Sequence, residues 1–395
     1  MKRPSLFFWL VLLTFAVVPA AIALTVFVPR YRQSRAVARL QKAGVQLGSY
    51  ASEDPWLGSR WVVGITAESN LDALPFLADL FQVNELSVVA APKFNDEHAR
   101  ILSRLPSLTT LTLDRVDVGD SGFAHVRNIK NLYTLNLNGT RITGRTLERL
   151  RGADTLQALM LDSTAVTDAD LSHIAGLPLL SYLQLAGTSV GDAGLLHLVP
   201  LKNLQHLDLH GTRVTDRGMV HLKGHTKLAE LFLGETAVTG EGLRSIAGHP
   251  LERLFLNGTQ VDDAALEQVA KCLHLKSVKL ARTRVTDAGM HHLAGIRSLE
   301  GVVLTKTQVG DSGAAEIIRG CKALRTLQLS GTQVSDGLAT AISDWPHGFI
   351  DVSNTRFSAA GFQQIRKFYG TVVYTERTPD GQPGKEIRGQ QTGKK

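Results

Sequence analysis

"LQHLDLHGTRVTDRGMVHL", Leu204 to Leu222, holds a strand pattern and a helix pattern in one short stretch. Leu207 and Leu209 alternate with His206, Asp208 and His210. A strand therefore turns the two leucines to one face and His206, Asp208 and His210 to the other. Gly211 and Thr212 follow where the chain must turn. Thr215 is a favoured N-cap type and Asp216 suits the positive end of a helix. Strand, turn and short helix together make one unit that cannot bury its own apolar face, so neighbouring units must cover it.

The neighbours are present. The run L-x-x-L-x-L begins at Leu108, Leu132, Leu156, Leu180, Leu204, Leu228, Leu251, Leu275, Leu299 and Leu324. The spacing is 24 residues five times, then 23, 24, 24 and 25. A threonine keeps the same phase from Thr140 through Thr355, and a residue of N-cap type opens each helix position from Gly119 through Ser358. An acid often follows that cap, as at Asp168, Asp192, Asp216, Asp263, Asp287, Asp311 and Asp336, where it suits a helix dipole.

This pattern resembles the leucine-rich repeat, in particular the bacterial variant L-x-x-L-x-L-x-x-T-x-V-T-D-x-G-L-x-x-L. The opening stretch and "LKSVKLARTRVTDAGMHHL" (Leu275 to Leu293) match it almost throughout. The resemblance implies an α/β leucine-rich-repeat solenoid, a horseshoe with a parallel concave sheet and convex helices. It covers residues 61–374, with two degenerate coils ahead of Leu108 and "TVVYT" (Thr371 to Thr375) as a closing strand. Degenerate ends are expected where terminal coils must cover an open core. Where the family has asparagine after the strand this chain has threonine, whose hydroxyl can bond turn backbone and so build a threonine ladder.

On the concave face three columns cross the strands. The first runs Tyr182, His206, Glu230, Arg253, Ser277; the second Gln184, Asp208, Phe232, Phe255, Lys279; the third Ala186, His210, Gly234, Asn257, Ala281. Column neighbours stand about 4.8 Å apart and touch. Tyr182, His206, Asp208, His210, Glu230, Phe232, Arg253, Phe255 and Lys279 thus form a mixed aromatic and charged patch, the composition of a protein-binding surface. Phe232 and Phe255 are expected to be exposed, as anchors for a partner. A metal site on His206, Asp208 and His210 is the sharper alternative, with Glu230 as a further ligand. Alternating side chains on a flat strand converge poorly on one ion. His125, His173, His197, His221 and His292 share one helix position, and Asn138 and Asn257 open N-G-T sequons. Both read as repeat consensus.

The body carries no nucleic-acid signature. Seven cations (Lys2, Arg3, Arg30, Arg32, Arg35, Arg39 and Lys42) precede the first acid, Glu53, and account for the whole net charge of +7. They flank "SLFFWLVLLTFAVVPAAIALTVFV", Ser5 to Val28, an uncharged run of 24 residues. As a helix it spans about 36 Å, enough to cross a bilayer core of about 30 Å. The apolar run outlasts the A-x-A site at Ala21 to Ala23, which favours an uncleaved anchor over a cleaved signal peptide. The five cations after the run would hold the body in the cytoplasm. The short basic segment ahead of it reads as an export signal, and the repeats are placed outside on that ground. The expected layout is a transmembrane anchor at 1–29, a basic juxtamembrane linker at 30–60, the repeats at 61–374 and a disordered polar tail at 375–395.

Cys272 and Cys321 fall two coils apart, beyond disulfide reach, each filling a buried slot. No G-x-S-x-G, G-x-x-x-x-G-K-[ST], H-E-x-x-H or C-x-x-C occurs. The expected function is a membrane-anchored repeat protein that binds a protein partner, with no cofactor and no catalysis. The rivals are a structural envelope component without a ligand, a cytoplasmic-facing adaptor resembling the repeat part of ubiquitin-ligase substrate receptors, and a metal hydrolase.

Overall fold

The structure is a computed structural model, and it describes residues 28–51, 59–80, 82–126, 129–345, 348–365, 371–377 and 383–390. Ser5 to Phe27 of the expected anchor lie outside those residues. Among the described residues no helix is long and apolar enough to cross a membrane. Two compact units divide the chain after Arg149.

The first unit opens on the helix Val28–Lys42 and the strand Gln46–Ala51, which pairs antiparallel with Ser59–Ile65. A basic linker was expected over 30–60. Its described residues instead form a cap. Ala36 and Leu40, one turn apart, are buried, and the helix packs on the 3₁₀ segment Leu71–Asp79. The Arg39 guanidinium lies 4.5 Å from the centre of the Phe76 ring, so the basic side chains of this helix also serve its packing. The degenerate coils are real coils. Ser59–Ile65, Val83–Val89, Thr110–Asp114 and Thr134–Asn136 pair in parallel, in chain order.

The second unit carries parallel strands of three residues each, among them Tyr182–Gln184, His206–Asp208, Glu230–Phe232, Arg253–Phe255 and Ser277–Lys279. Their central residues Leu183, Leu207, Leu231, Leu254 and Val278 are all fully buried. Each such side chain gains about 1.5–3 kcal/mol from leaving water. Thr371–Arg377 closes the parallel series, and Pro383–Gln390 pairs antiparallel with it. Residues 383–390 were expected to be disordered tail. A bare parallel edge would leave a row of unpaired amides and carbonyls, and this strand covers it.

The threonines do bond the turn, but each within its own coil. Thr212 Oγ1 donates to the Leu209 carbonyl at 2.7 Å, and Thr236 Oγ1 to that of Leu233 at 2.6 Å. The side-chain link between coils is made by the aspartates, which the sequence suggested only as helix-dipole partners. Asp192 Oδ1 accepts the Thr215 amide at 2.8 Å and Oδ2 its hydroxyl at 2.7 Å. Asp216 does the same for Thr239, and Asp263 for Thr286. Around Asp120 burial works against the charge, but the Thr143 and Thr146 hydroxyls and the amides beside them outweigh it. The carboxyl is held below its usual range.

A second column ties coils together on the helix side. His225 Nε2 lies 3.0 Å from the Leu198 carbonyl, and His249 Nε2 lies 3.3 Å from that of Leu222. The equivalent Cys272 and Cys321 are free, buried thiols facing the Ile246 and Leu293 carbonyls. Burial pushes the Cys321 thiol up to about 12, so it is an inert core group.

Candidate interaction surface

The strand register sets each column side by side: Tyr182, His206, Glu230, Arg253 and Ser277 are successive partners, as are Gln184, Asp208, Phe232, Phe255 and Lys279. At a strand spacing of about 4.8 Å, planar rings in adjacent coils must meet. The Tyr182 ring stacks on the His206 imidazole at 3.8 Å and 10°. His206 tilts onto Phe232 at 4.9 Å, and Phe232 meets Phe255 edge-on at 4.5 Å and 84°. Lys279 Nζ sits 4.0 Å from the centre of the Phe255 ring. Such contacts contribute about 0.5–1.5 kcal/mol each beyond area burial.

The polar groups are arranged along the same row. Glu230 accepts from His206 Nδ1 at 2.7 Å with one oxygen and from Arg253 Nη1 at 2.9 Å with the other. A carboxylate only accepts, so the His206 proton belongs on Nδ1. His206 is only 8% exposed, and its Nε2 is buried without a hydrogen-bond partner. Asp208 Oδ1 accepts the His210 amide at 2.8 Å. Burial raises the Asp208 carboxyl, while that amide and the neighbouring imidazoles draw it back in part. Tyr182 is likewise raised, first by burial and then by Glu230, Asp162 and Asp208.

His206, Asp208 and His210 do share one strand face, yet they do not converge. His206 turns to Glu230 in the next coil, Asp208 to its own turn, and His210 lies against Gly234, where a Cβ would stand 2.6 Å from Nδ1. Among the described residues no group of three or more His, Cys, Asp and Glu side chains could hold a metal.

Exposure differs from the expectation: Phe232 and Phe255 are half-buried rather than exposed, and His206 beside them is buried. The cause is the row itself, in which each ring covers part of the next. Tyr182, His206, Glu230, Phe232, Arg253, Phe255 and Lys279 form one contact row, with Asp208 and His210 at its flank. Asp162 was missed. It lies in the third column two coils upstream of His210, and its Oδ1 accepts the Ala186 amide at 2.7 Å. Reading the columns one coil further back would have found it. The helix-side histidines His125, His173, His197, His221 and His292 are half-buried at equivalent positions. The sequon residue Asn257 accepts the Ala281 amide at 2.9 Å, and Thr140 and Thr259 are buried against their own turns.

The leucine-rich-repeat family model matches residues 201–222, the coil that contains His206, Asp208 and His210. No curated protein matches the chain in sequence. Among solved structures, an internalin from Listeria monocytogenes superposes with a TM-score of 0.54 at 19% identity, covering 68% of this chain and 75% of that one. A leucine-rich-repeat protein from Leptospira interrogans gives 0.49 at 16% identity, covering 75% and 85%. A plant peptide hormone receptor, solved in complex with RGF2, gives 0.39 at 13%, covering 80% and 65%. The fold is that of an α/β leucine-rich-repeat solenoid.

Proposed function

We propose that this chain is a membrane-anchored repeat protein that takes a protein partner on its sheet face, through the row from Tyr182 to Lys279. One observation carries the reading: three aromatic rings, a histidine and an arginine are gathered on a solvent-side face whose inner leucines already make the core. Elsewhere in this unit the first column holds Ala158, Ser277, Gly301, Thr326 and Phe349, so most coils fill that place without a ring. Tyrosine, phenylalanine and arginine in a packed cluster are the side chains that carry binding energy. The reading assigns no catalytic role and no cofactor.

The test is site-specific photocrosslinking in cells of the source organism. A benzophenone side chain at Ser277 should yield a discrete adduct, and one at Glu267, on the helix side, should not. In a chain that also carries Phe232→Ala and Phe255→Ala the adduct should fall at least tenfold. Because both rings are half-buried and touch, each change should also cost about 1–2 kcal/mol of stability, more than an ordinary surface substitution. Equal adducts from both probes, or none from Ser277, would reject the sheet face as the binding surface.

The uncharged run from Ser5 to Val28 is what supports anchoring, with the repeats placed outside the cytoplasm. Salt does not screen apolar burial, so the protein should stay with membranes through high salt and come off only in detergent. Recovery of a mature N-terminus near Leu24 would mean that the run is a cleaved signal instead.

A further inference from the structure

The row is electrically bipolar, and that property names an occupant. Several charges around it cancel in pairs. Glu230 holds Arg253 at 2.9 Å, Glu252 holds Lys276 at 2.9 Å, and Glu235 holds Arg282. The two charges left without a Lys/Arg–carboxylate pair stand at the two ends. Asp208 uses Oδ1 to cap its own turn, leaves Oδ2 without a protein hydrogen bond and pairs with no lysine or arginine among the described residues. Lys279 rests on the Phe255 ring and pairs with no carboxylate among the described residues.

Asp208, Phe232, Phe255 and Lys279 occupy successive places in one column. Three strand spacings separate the ends, about 14 Å, with the two rings midway. An extended chain rises about 3.3 Å per residue and turns alternate side chains to one face, so residues i, i+2 and i+4 span about 13 Å. The strands here are three residues wide, which gives the stripe an area on the order of 150 Å². A globular partner or a second copy needs about 800 Å² on each side. The stripe suits one extended segment laid across the strands.

Resting on the reading above, we infer that the sheet face recognises an extended peptide segment carrying a basic residue, an apolar residue two positions away and an acidic residue two further on. The cation meets Asp208, the apolar side chain sits over Phe232 and Phe255, and the carboxylate meets Lys279. Recognition is by side chains alone, so the segment fits in either chain direction.

The experiment is fluorescence anisotropy on the full chain in detergent, with end-blocked nine-residue peptides. One carries lysine, leucine and glutamate at alternate positions in a serine background. Three controls carry lysine at both ends, glutamate at both ends, or the two charges moved next to the leucine. The first peptide should bind at least tenfold tighter than each control. Asp208→Asn, which retains the Oδ1 cap, should abolish its advantage over the glutamate pair. Lys279→Glu should transfer the preference to the lysine pair.

Four equal affinities, no binding at millimolar peptide, or a preference unmoved by Lys279→Glu would each overturn the inference. Equal affinities that all vanish with Phe232→Ala and Phe255→Ala would leave the binding face standing while removing its charge reading. A dimer in sedimentation that Lys279→Glu dissociates would make the occupant a second copy, and would also overturn it.

Discussion

Gly289→Ala is expected to cost about 3 kcal/mol, although it adds a single methyl group in a helical segment where alanine is normally favoured. A Cβ at Gly289 would stand 2.5 Å from Asp263 Oδ1, 2.8 Å from Leu266 Cδ1 and 3.1 Å from the Asp263 Cα. The carboxylate cannot yield cheaply. It accepts the Thr286 amide at 2.8 Å and the Thr286 hydroxyl at 2.7 Å. Hydrogen bonds to a charged group contribute about 1.5–3 kcal/mol each, and overpacking a filled site costs about 1–3 kcal/mol. Asp263→Gly alone should cost about 3 kcal/mol or more, because it leaves both Thr286 donors without their partner. The double variant should then cost clearly less than the sum, with a coupling of at least 1 kcal/mol in a chemical-denaturation cycle. Strict additivity would show that the glycine is not there to admit the aspartate.

The chain already contains the rescue. Gly122, Gly194, Gly313, Gly337 and Gly361 each press on the aspartate of the preceding coil, Asp96, Asp168, Asp287, Asp311 and Asp336 respectively. Where a coil has glycine in place of that aspartate, the next coil is released from the requirement. Gly240 is followed by Ala265, and Gly144 by Asp170. Among the described residues Thr146 is the one larger residue opposite an aspartate, and its hydroxyl bonds Asp120 at 2.7 Å. The D-x-G of the repeat is therefore two halves of different contacts: its acid serves the next coil and its glycine admits the acid of the previous one.

That rule was written in the sequence but not legible as such. Periodicity identifies which positions repeat, whereas the Asp263–Gly289 contact joins positions one coil apart that no local pattern connects. The strand register was legible for the same reason that the contact was not. Leu207 and Leu209 declare their inward direction within five residues, because alternation is a local property. The patch was legible in membership and not in exposure. Column arithmetic placed Phe232 beside Phe255, but whether rings lie side by side or cover one another depends on rotamers, and here the edge-on contact hides part of both. The ends were read least well. The helix Val28–Lys42 and the strand Pro383–Gln390 are rich in polar residues, so composition alone suggested linker and tail. Their structural roles come from tertiary neighbours: the helix packs on Leu71–Asp79, and the strand covers the open edge at Thr371–Arg377.

Leu207→Ala tests the core beneath the patch, with an expected loss of about 2–5 kcal/mol. Leu207 is fully buried and lies directly between Leu183 and Leu231 in the parallel register. Its removal forfeits the transfer energy of the lost carbons and leaves a cavity that coils tethered on both sides cannot fully close. The damage should be local before it is global. His206 and Asp208 are its immediate chain neighbours, so the Tyr182–His206 stack and the Asp208 turn cap stand on the same short strand. Hydrogen exchange should therefore accelerate first across residues 183–232 and least in the coils from Leu299 to Leu329, because coils are stabilised by their nearest neighbours. Leu207→Met, which nearly conserves volume, should cost less than about 1.5 kcal/mol and leave that exchange pattern unchanged. A Leu207→Ala chain that melts like the parent would place the leucine outside the core. Uniform acceleration along the whole second unit would show that its coils unfold as one body rather than outward from the cavity.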